Sequence, residues 1–495
     1  MTSLAVHFPA LVVVNLLICS FVMPVLDRWK KNLVIPVALG SMVLSFVFSI
    51  HLAVRVSVEG AFGYAMGGWV APWGIEFVVD HFSVFMLLTL TGVGLLILVY
   101  ATQDLVHELK EDVLGWYYTL YLLLMASMVG LALTNDLFNL FVFVEICAIA
   151  SCAIISIKEN RECIEASLKY LILSAVGSGG MLLGIAMIYM VTGHLNFTHV
   201  TEALPQAFEL YPRNIMVAMA LFAAGIGVKA ALFPLHVWLP DAHSSAPSPS
   251  SAILSGLVIK VYAAVFIKLF LKMFPWEAYE AIPLMTIVLI MSSVGIVMGS
   301  MFAIVQEDIK KMLAYSSVAQ IGYVFLGIAL LSQNGTLGGI LHIFNHALMK
   351  SMLFMAAGAI IYCTGVRRIS DLKGIGTKMP MVMSVFSIGA FSMVGIPMTN
   401  GFISKWYLAI GALDVDKPLY VAVILLSSLL NGVYYLPIVV NAFFGEHKGN
   451  FQMSRKLPLQ MAIPLIILAS AIIITGIFPR LMLDLADKAV LFLLN

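Results

Sequence analysis

The feature that most constrains this chain is the recurrence of long stretches with no ionised side chain. None occurs between Asp112 and Asp136, Lys169 and His194, Glu280 and Glu307, Lys417 and Glu446, or Lys456 and Arg480. A helix needs about 20 apolar residues to cross the hydrocarbon core. Lipid offers no partner for backbone N–H and C=O groups, so such stretches cross as helices, and Gly or Pro within them is tolerated. The pattern predicts an all-α polytopic membrane protein with about fourteen transmembrane helices. Their approximate spans are 5–26, 33–54, 78–101, 113–133, 137–157, 165–191, 214–239, 248–271, 281–303, 311–331, 336–362, 381–411, 418–444 and 457–479.

Composition excludes the alternatives. The 495 residues are 61% hydrophobic and 11% charged, with a mean hydropathy of +1.02. Soluble domains carry roughly a quarter charged residues, and there is too little charge here to cover a soluble surface. The 27 basic and 26 acidic residues leave no basic face for nucleic acid. Cys19, Cys147, Cys152, Cys163 and Cys363 are odd in number and lack metal-site spacing. They read as small buried hydrophobes, so no metal or redox centre is expected. No nucleotide-binding glycine loop is present and no cofactor is expected. The first apolar run lacks a basic leader and a small-residue cleavage site, and reads as a retained span.

Basic residues then orient the spans. Sixteen are assigned to the loops after odd-numbered helices, among them Lys158, Lys169, Lys310, Lys311, Arg367 and Lys448, and seven to the opposite side. The positive-inside rule puts the odd loops in the cytoplasm and both termini outside. The localisation expected is the cell inner (cytoplasmic) membrane. The non-spanning stretches around 55–77 and 192–213 are read as loops.

Four lysines fall inside spans. An ionisable group at membrane depth is costly and marks an ion or proton path. Glu145 lies in NDLFNLFVFVEICAIAS, nine residues past Asp136, about 14 Å into its span. The plainer reading is a carboxylate that only joins two helices; the functional one is a carboxylate whose protonation is tuned by burial and a nearby cation. Lys229 lies in AAGIGVKAALFPLHVWLP. Pro234 should break the seventh helix just after it, and broken helices are common at transporter sites. Lys405 follows Pro397, Asn400 and Gly401 in what reads as a second broken helix, the twelfth. An offset of five helices reverses topology, so spans 4–8 and 9–13 carry the mark of an inverted repeat. His342, His346 and Lys350 stand at i, i+4 and i+8 and share one helix face; imidazoles pass protons near neutral pH. Lys260 adds a cation to the eighth span, unless it snorkels to a helix end. No nucleophile–base pair or phosphate loop accompanies these groups, which suit a proton or cation relay.

Several long motifs resemble the antiporter-like subunits of respiratory complex I and the Mrp-type cation/proton antiporters. TNDLFNLFVFVE resembles the fifth-helix glutamate motif, most closely that of the Mrp D subunit. FPLHVWLPDAH with APSPSSAILSGLVIK resembles the seventh-to-eighth helix signature, DIKKMLAYSSVAQIGYVFLG the start of the tenth helix, and GIPMTNGFISKW the broken twelfth. The resemblance implies a fourteen-helix fold with two inverted five-helix repeats, each with a half-channel joined by a central row of charges. It implies N-terminal helices 1–3 in residues 1–112, a first repeat in 113–275, a second in 276–450, and helix 14 with a short tail in 451–495. Residue by residue, Glu145 and Lys229 match the essential glutamate–lysine pair, Lys260 the bridging lysine, His342 and His346 the eleventh-helix histidines, and Lys405 the terminal lysine. Asp136, His236 and His243 match positions expected near a channel mouth.

The function expected is proton or cation translocation, with Na+ as the candidate exchanged ion, by a membrane subunit of an Mrp-type antiporter. Its partners would be other membrane subunits and the lipid bilayer. The alternatives are a proton-pumping subunit of a membrane-bound hydrogenase or complex I-like assembly, and a stand-alone secondary transporter. The chain carries no catalytic chemistry that can be read by itself.

Overall fold

The computed structural model describes residues 5–445 and 454–494; Lys448 lies outside them. Among the described residues, twelve helices are long and apolar enough to cross a membrane. They are α1 (Phe8–Trp29), α2 (Val34–Glu59), α3 (His81–Glu108), α4 (Glu111–Leu133), α5 (Leu137–Ser156) and α6 (Arg161–Thr192), followed by α10 (Ser248–Met273), α11 (Leu284–Ile304), α12 (Ile309–Ala329), α13 (Gln333–Thr364), α16 (Pro418–Phe444) and α17 (Leu459–Ile477). Two further spans are interrupted. One is α8 (Pro212–Lys229) with α9 (Leu239–Ser245); the other is α14 (Pro380–Val394) with α15 (Asn400–Asp414). These two are the places at which the sequence predicts a broken helix.

The loops differ from the expectation. The stretch 55–77 holds β1 (Phe62–Ala65), which pairs antiparallel with β2 (Glu76–Val79), Phe62 opposite Val79. The fold is therefore not wholly helical. The stretch 192–213 holds α7 (Phe197–Leu210), and the C-terminal tail is itself a helix, α18 (Arg480–Leu494). Hydropathy summed over about 20 residues does not register such short amphipathic pieces. Lys169, assigned above to a loop, lies within α6, and Lys310 is only 2% exposed.

Short polar residues start these helices. Asp80, Asp136, Asn160, Asn196, Asp308 and Ser332 each accept a backbone N–H of the first turn, satisfying donors that a helix start leaves open. Two helices form the centre: in α10 and α12, 94% of the most apolar stretch is buried within the protein. The outer helices turn apolar side chains outward, as with Val176 at 71% and Leu429 at 67% exposed. Such a surface suits lipid or a neighbouring membrane subunit. All five cysteines are free thiols, four of them buried.

Helix approach in lipid depends on small residues, because apolar side chains gain little by leaving apolar solvent. A Cβ added at Gly225 of α8 would stand 2.5 Å from the Gly177 carbonyl oxygen of α6. Only glycine permits this crossing. It brings Lys229, one turn beyond Gly225, beside Ser174, one turn before Gly177.

Candidate functional site

At the end of α8, Lys229 is fully buried. Its Nζ lies 3.6 Å from Glu145 Oε1 on α5 and donates to Ser174 Oγ on α6 at 2.7 Å. Glu145 keeps a third of its side chain exposed, and its Oε1 accepts no hydrogen bond. The pair thus has one sealed member and one that reaches the surface. After Lys229 the chain leaves the helix through Ala231, at φ +57°. Trp238 turns back to donate from its indole Nε1 to the Val228 carbonyl at 2.8 Å. The same carbonyl also accepts the Ala231 N–H at 3.2 Å, so it stays satisfied at the break, as an interrupted helix at membrane depth requires.

The Lys229 ammonium stands 5.8 Å from the centre of the Tyr262 ring on α10. Two residues earlier on α10, Lys260 is buried and donates to the Ser255 carbonyl. This is not a snorkelling lysine. A π-helical turn, Leu254–Val258, precedes it; such turns free a carbonyl from the ladder and recur at functional sites. The Ser255 hydroxyl bonds that of Ser317 on α12 at 2.7 Å.

From there α12 carries the contacts. Lys350 of α13 donates to the Leu313 carbonyl at 2.7 Å, to Ser316 Oγ at 2.6 Å and to Tyr435 Oη at 3.4 Å. His342 is held at both nitrogens, Nε2 by Gln320 Oε1 at 3.0 Å and Nδ1 by Ser404 Oγ at 2.9 Å. His346 stacks on His342, ring centres 5.7 Å apart, and neither of its nitrogens has a hydrogen-bond partner. The i, i+4, i+8 spacing does put His342, His346 and Lys350 on one face, and all three are fully buried.

Lys405 of α15 is 5% exposed and lies 5.1 Å from the centre of the Tyr323 ring on α12. It donates back across the break to the Met393 and Val394 carbonyls at the end of α14, at 2.8 and 3.0 Å, and to Ser428 Oγ at 3.1 Å. The break itself runs through Gly395 and Met398, at φ +89° and +72°. Glu145 pairs with Lys229, while Lys350 and His342 reach α12 directly, Lys260 reaches it through Ser255, and Lys405 faces Tyr323 of α12.

Asp136, His236 and His243 lie on different elements. Asp136 caps α5, accepting from the Asn139 N–H at 2.7 Å. Burial pushes its carboxyl above the usual carboxylate range, against the backbone N–H groups of Asn139 and Phe138, which lower it. His243 is fully buried near the opposite end of α5: two residues on, the Ser245 carbonyl accepts from Cys163 Sγ at the start of α6, at 3.3 Å. The length of α5 is about 30 Å. His236 is 6% exposed and stacks between Phe233 and Phe302.

Sequence reasoning missed the neutral links: Ser174, Ser255, Ser316, Ser317, Gln320, Tyr323 and Ser404. Their only signal is spacing. From Lys310 through Leu313, Ser317 and Gln320, one side of α12 presents a polar group or a bonded carbonyl every three or four residues. Among the described residues, no group of three His, Cys, Asp or Glu is placed to hold a metal ion.

Comparison with known proteins decides the family. The sequence profile described as "NADH:quinone oxidoreductase/Mrp antiporter, TM" matches residues 134–431. The chain belongs to this family. The matched region holds all seven residues of the row. Full-length relatives carry names from both branches of the family. The N subunit of an NADH-quinone oxidoreductase, from Desulforudis audaxviator, is 36% identical over 489 residues, 95% of this chain and 96% of that one. The D subunit of a Na(+)/H(+) antiporter, from Alkalihalophilus pseudofirmus, is 31% identical over 428 residues, 86% and 85% of the two chains. In three dimensions the chain resembles a subunit of an archaeal membrane-bound sulfane sulfur reductase, with a TM-score of 0.91 at 31% identity and 98% of each chain covered. It also resembles a chain of the Mrp complex from Dietzia sp., with a TM-score of 0.90 at 26% identity, 100% and 98% covered. The protein is a multi-span membrane member of the antiporter family.

Proposed function

We propose that this protein is an ion-translocating subunit of a larger membrane complex, moving protons along the row from Glu145 to Lys405 in exchange for a monovalent cation such as Na+. What carries this reading is the gathering of buried charges along α12, with the Glu145–Lys229 pair beside them. An isolated buried charge is costly. Seven ionisable groups set among hydroxyls and rings are what a proton relay needs and what a static scaffold does not.

In this account Glu145 and Lys229 load and release the proton together, since each sets the other's affinity. Lys260, Lys350, His346 and His342 pass it across, and Lys405 closes the row at the second break. Two inverted repeats, spans 4–8 and 9–13, with half-channels of opposite facing, fit the paired broken helices. In each half the broken span docks on the helix before it. Lys229 meets Ser174 of α6, and Ser404 and Asn400 of α15 meet His342 and Asn345 of α13. The four sequence regions 1–112, 113–275, 276–450 and 451–495 are assigned on the same basis. The chain sits in the cytoplasmic membrane with both termini outside.

A second reading is favoured by the 36% identity to the N subunit of a quinone oxidoreductase: the same row would then pump protons within a redox-driven complex. Purification of the tagged chain from its native membrane tests both. Small antiporter subunits alongside it, with Na+-dependent proton movement in vesicles, support the exchanger. Redox subunits, with proton movement that requires an electron donor, support the pump. Full transport by the chain alone would overturn both.

A further inference from the structure

We propose that a buried pocket where α3 ends, formed by Asp104 and Glu108 with Lys158 and Lys310, is a proton-loading site that feeds the row through α12. It rests on the reading that the row carries protons. Asp104 is 1% exposed, and its Oδ2 has no hydrogen-bond partner. It lines a cavity of about 180 Å³ together with Glu108, Lys158 and Lys310, which leaves room for several waters.

Glu108 follows Asp104 by one turn on the same face. Its carboxylate pairs with Lys158, and its Oε1 accepts from the Ser248 N–H at 3.2 Å and from Ser248 Oγ at 2.9 Å. Glu108 is 12% and Lys158 21% exposed at the side chain, so the pocket touches water at that end. His107 and Arg367 also line it. Arg367 is engaged with Asp308 at 2.9 Å, His107 meets the Tyr362 ring edge-on with centres 5.4 Å apart, and Tyr100 spends its hydroxyl on the Met355 carbonyl at 2.8 Å. Asp104 keeps one oxygen, Oδ2, that no donor reaches.

A buried carboxylate oxygen without a donor is costly, and taking up a proton removes the cost. A metal cation would instead face two lysines in the same pocket. Lys310 lies on the inner side, buried, with its Nζ bonded to the Ala246 carbonyl. Three residues along α12 is the Leu313 carbonyl that holds Lys350. The step is a plain transfer: the Asp104 carboxyl becomes carboxylate as the Lys310 amine becomes ammonium, and no other reactant is consumed. Every element of the pocket belongs to an odd-numbered loop or a helix end next to one, the side the positive-inside rule assigns to the cytoplasm.

The test uses membrane vesicles carrying the whole complex, with the pH of each side varied separately and initial proton movement followed by a dye. In Asp104→Asn the proton concentration for half-maximal rate should rise about tenfold or more on the Lys158 side alone, one pH unit. The maximal rate should recover as that side is acidified. An unchanged profile, while Glu145→Gln is inactive, overturns the loading site and leaves the row standing. Full activity in both variants overturns the row as well. Should the asparagine variant fail to accumulate, Asp104→Glu is measured instead: a displaced profile on that side supports the site, and a superimposable one overturns it.

Discussion

Lys405 Nζ donates to the Met393 carbonyl at 2.8 Å, so the side chain of one half-helix caps the other across the break. The last carbonyls of a helix lack partners and carry its negative dipole end. An ammonium there is both a structural cap and a charge near the end of the row.

These two roles separate by substitution. Lys405→Ala leaves the Met393 and Val394 carbonyls without this donor and should cost about 1–3 kcal/mol of stability, along with transport. Lys405→Arg keeps a cation but cannot release a proton near neutral pH. It should restore thermal stability without restoring transport. Full activity in the alanine variant would remove Lys405 from the pathway.

Glu145 and Lys229 should behave as one unit. With 3.6 Å between charged atoms, removing either leaves the other unpaired, a loss the second substitution does not repeat. Vesicle rates for Glu145→Gln, Lys229→Ala and the double variant form the cycle. The double should be little worse than either single. Losses that multiply would show two independent sites.

The Gly177–Gly225 crossing should be as necessary as the charges it aligns. In Gly225→Ala the new methyl would meet the Gly177 carbonyl oxygen at 2.5 Å and Met181 Cγ at 2.5 Å. Forcing α8 from α6 should cost about 1–3 kcal/mol and lower transport, because Lys229 is drawn from Ser174. Gly179→Ala meets nothing within 4 Å and is the control, near wild type in both. Equal behaviour of the two variants in thermal unfolding would refute the close-approach argument.

Asp136 should prove a cap and not a carrier. Asp136→Ala should cost about 1 kcal/mol, whereas Asp136→Asn, which keeps the accepting oxygen, should be close to neutral and transport normally. Loss of proton movement in the asparagine variant would return Asp136 to the pathway.

The breaks and the charges were legible in the sequence because both are exceptions in an apolar background. Pro234, and Pro397 with Gly401, interrupt otherwise continuous runs, and the structure ends α8 at Lys229 and α14 at Val394. Glu145, Lys260 and Lys350 are conspicuous for the same reason. The hydroxyls and amides between them were not legible. Ser317 and Gln320 are ordinary residues until α10 and α13 dock against α12, and hydropathy gives them no weight. Lys310 misled because it sits beside Lys311 at a helix start. Helix register separates them: Lys311 remains 38% exposed at the side chain while Lys310 turns inward.

The most direct measurement is proton movement in vesicles carrying the complex with Glu145→Gln, checked for assembly on a native gel. The substitution keeps shape and removes only the charge. The row predicts an assembled complex in which proton movement is abolished at every pH tested. An assembled complex that moves protons at the wild-type rate would contradict it and make Glu145 a structural partner of Lys229.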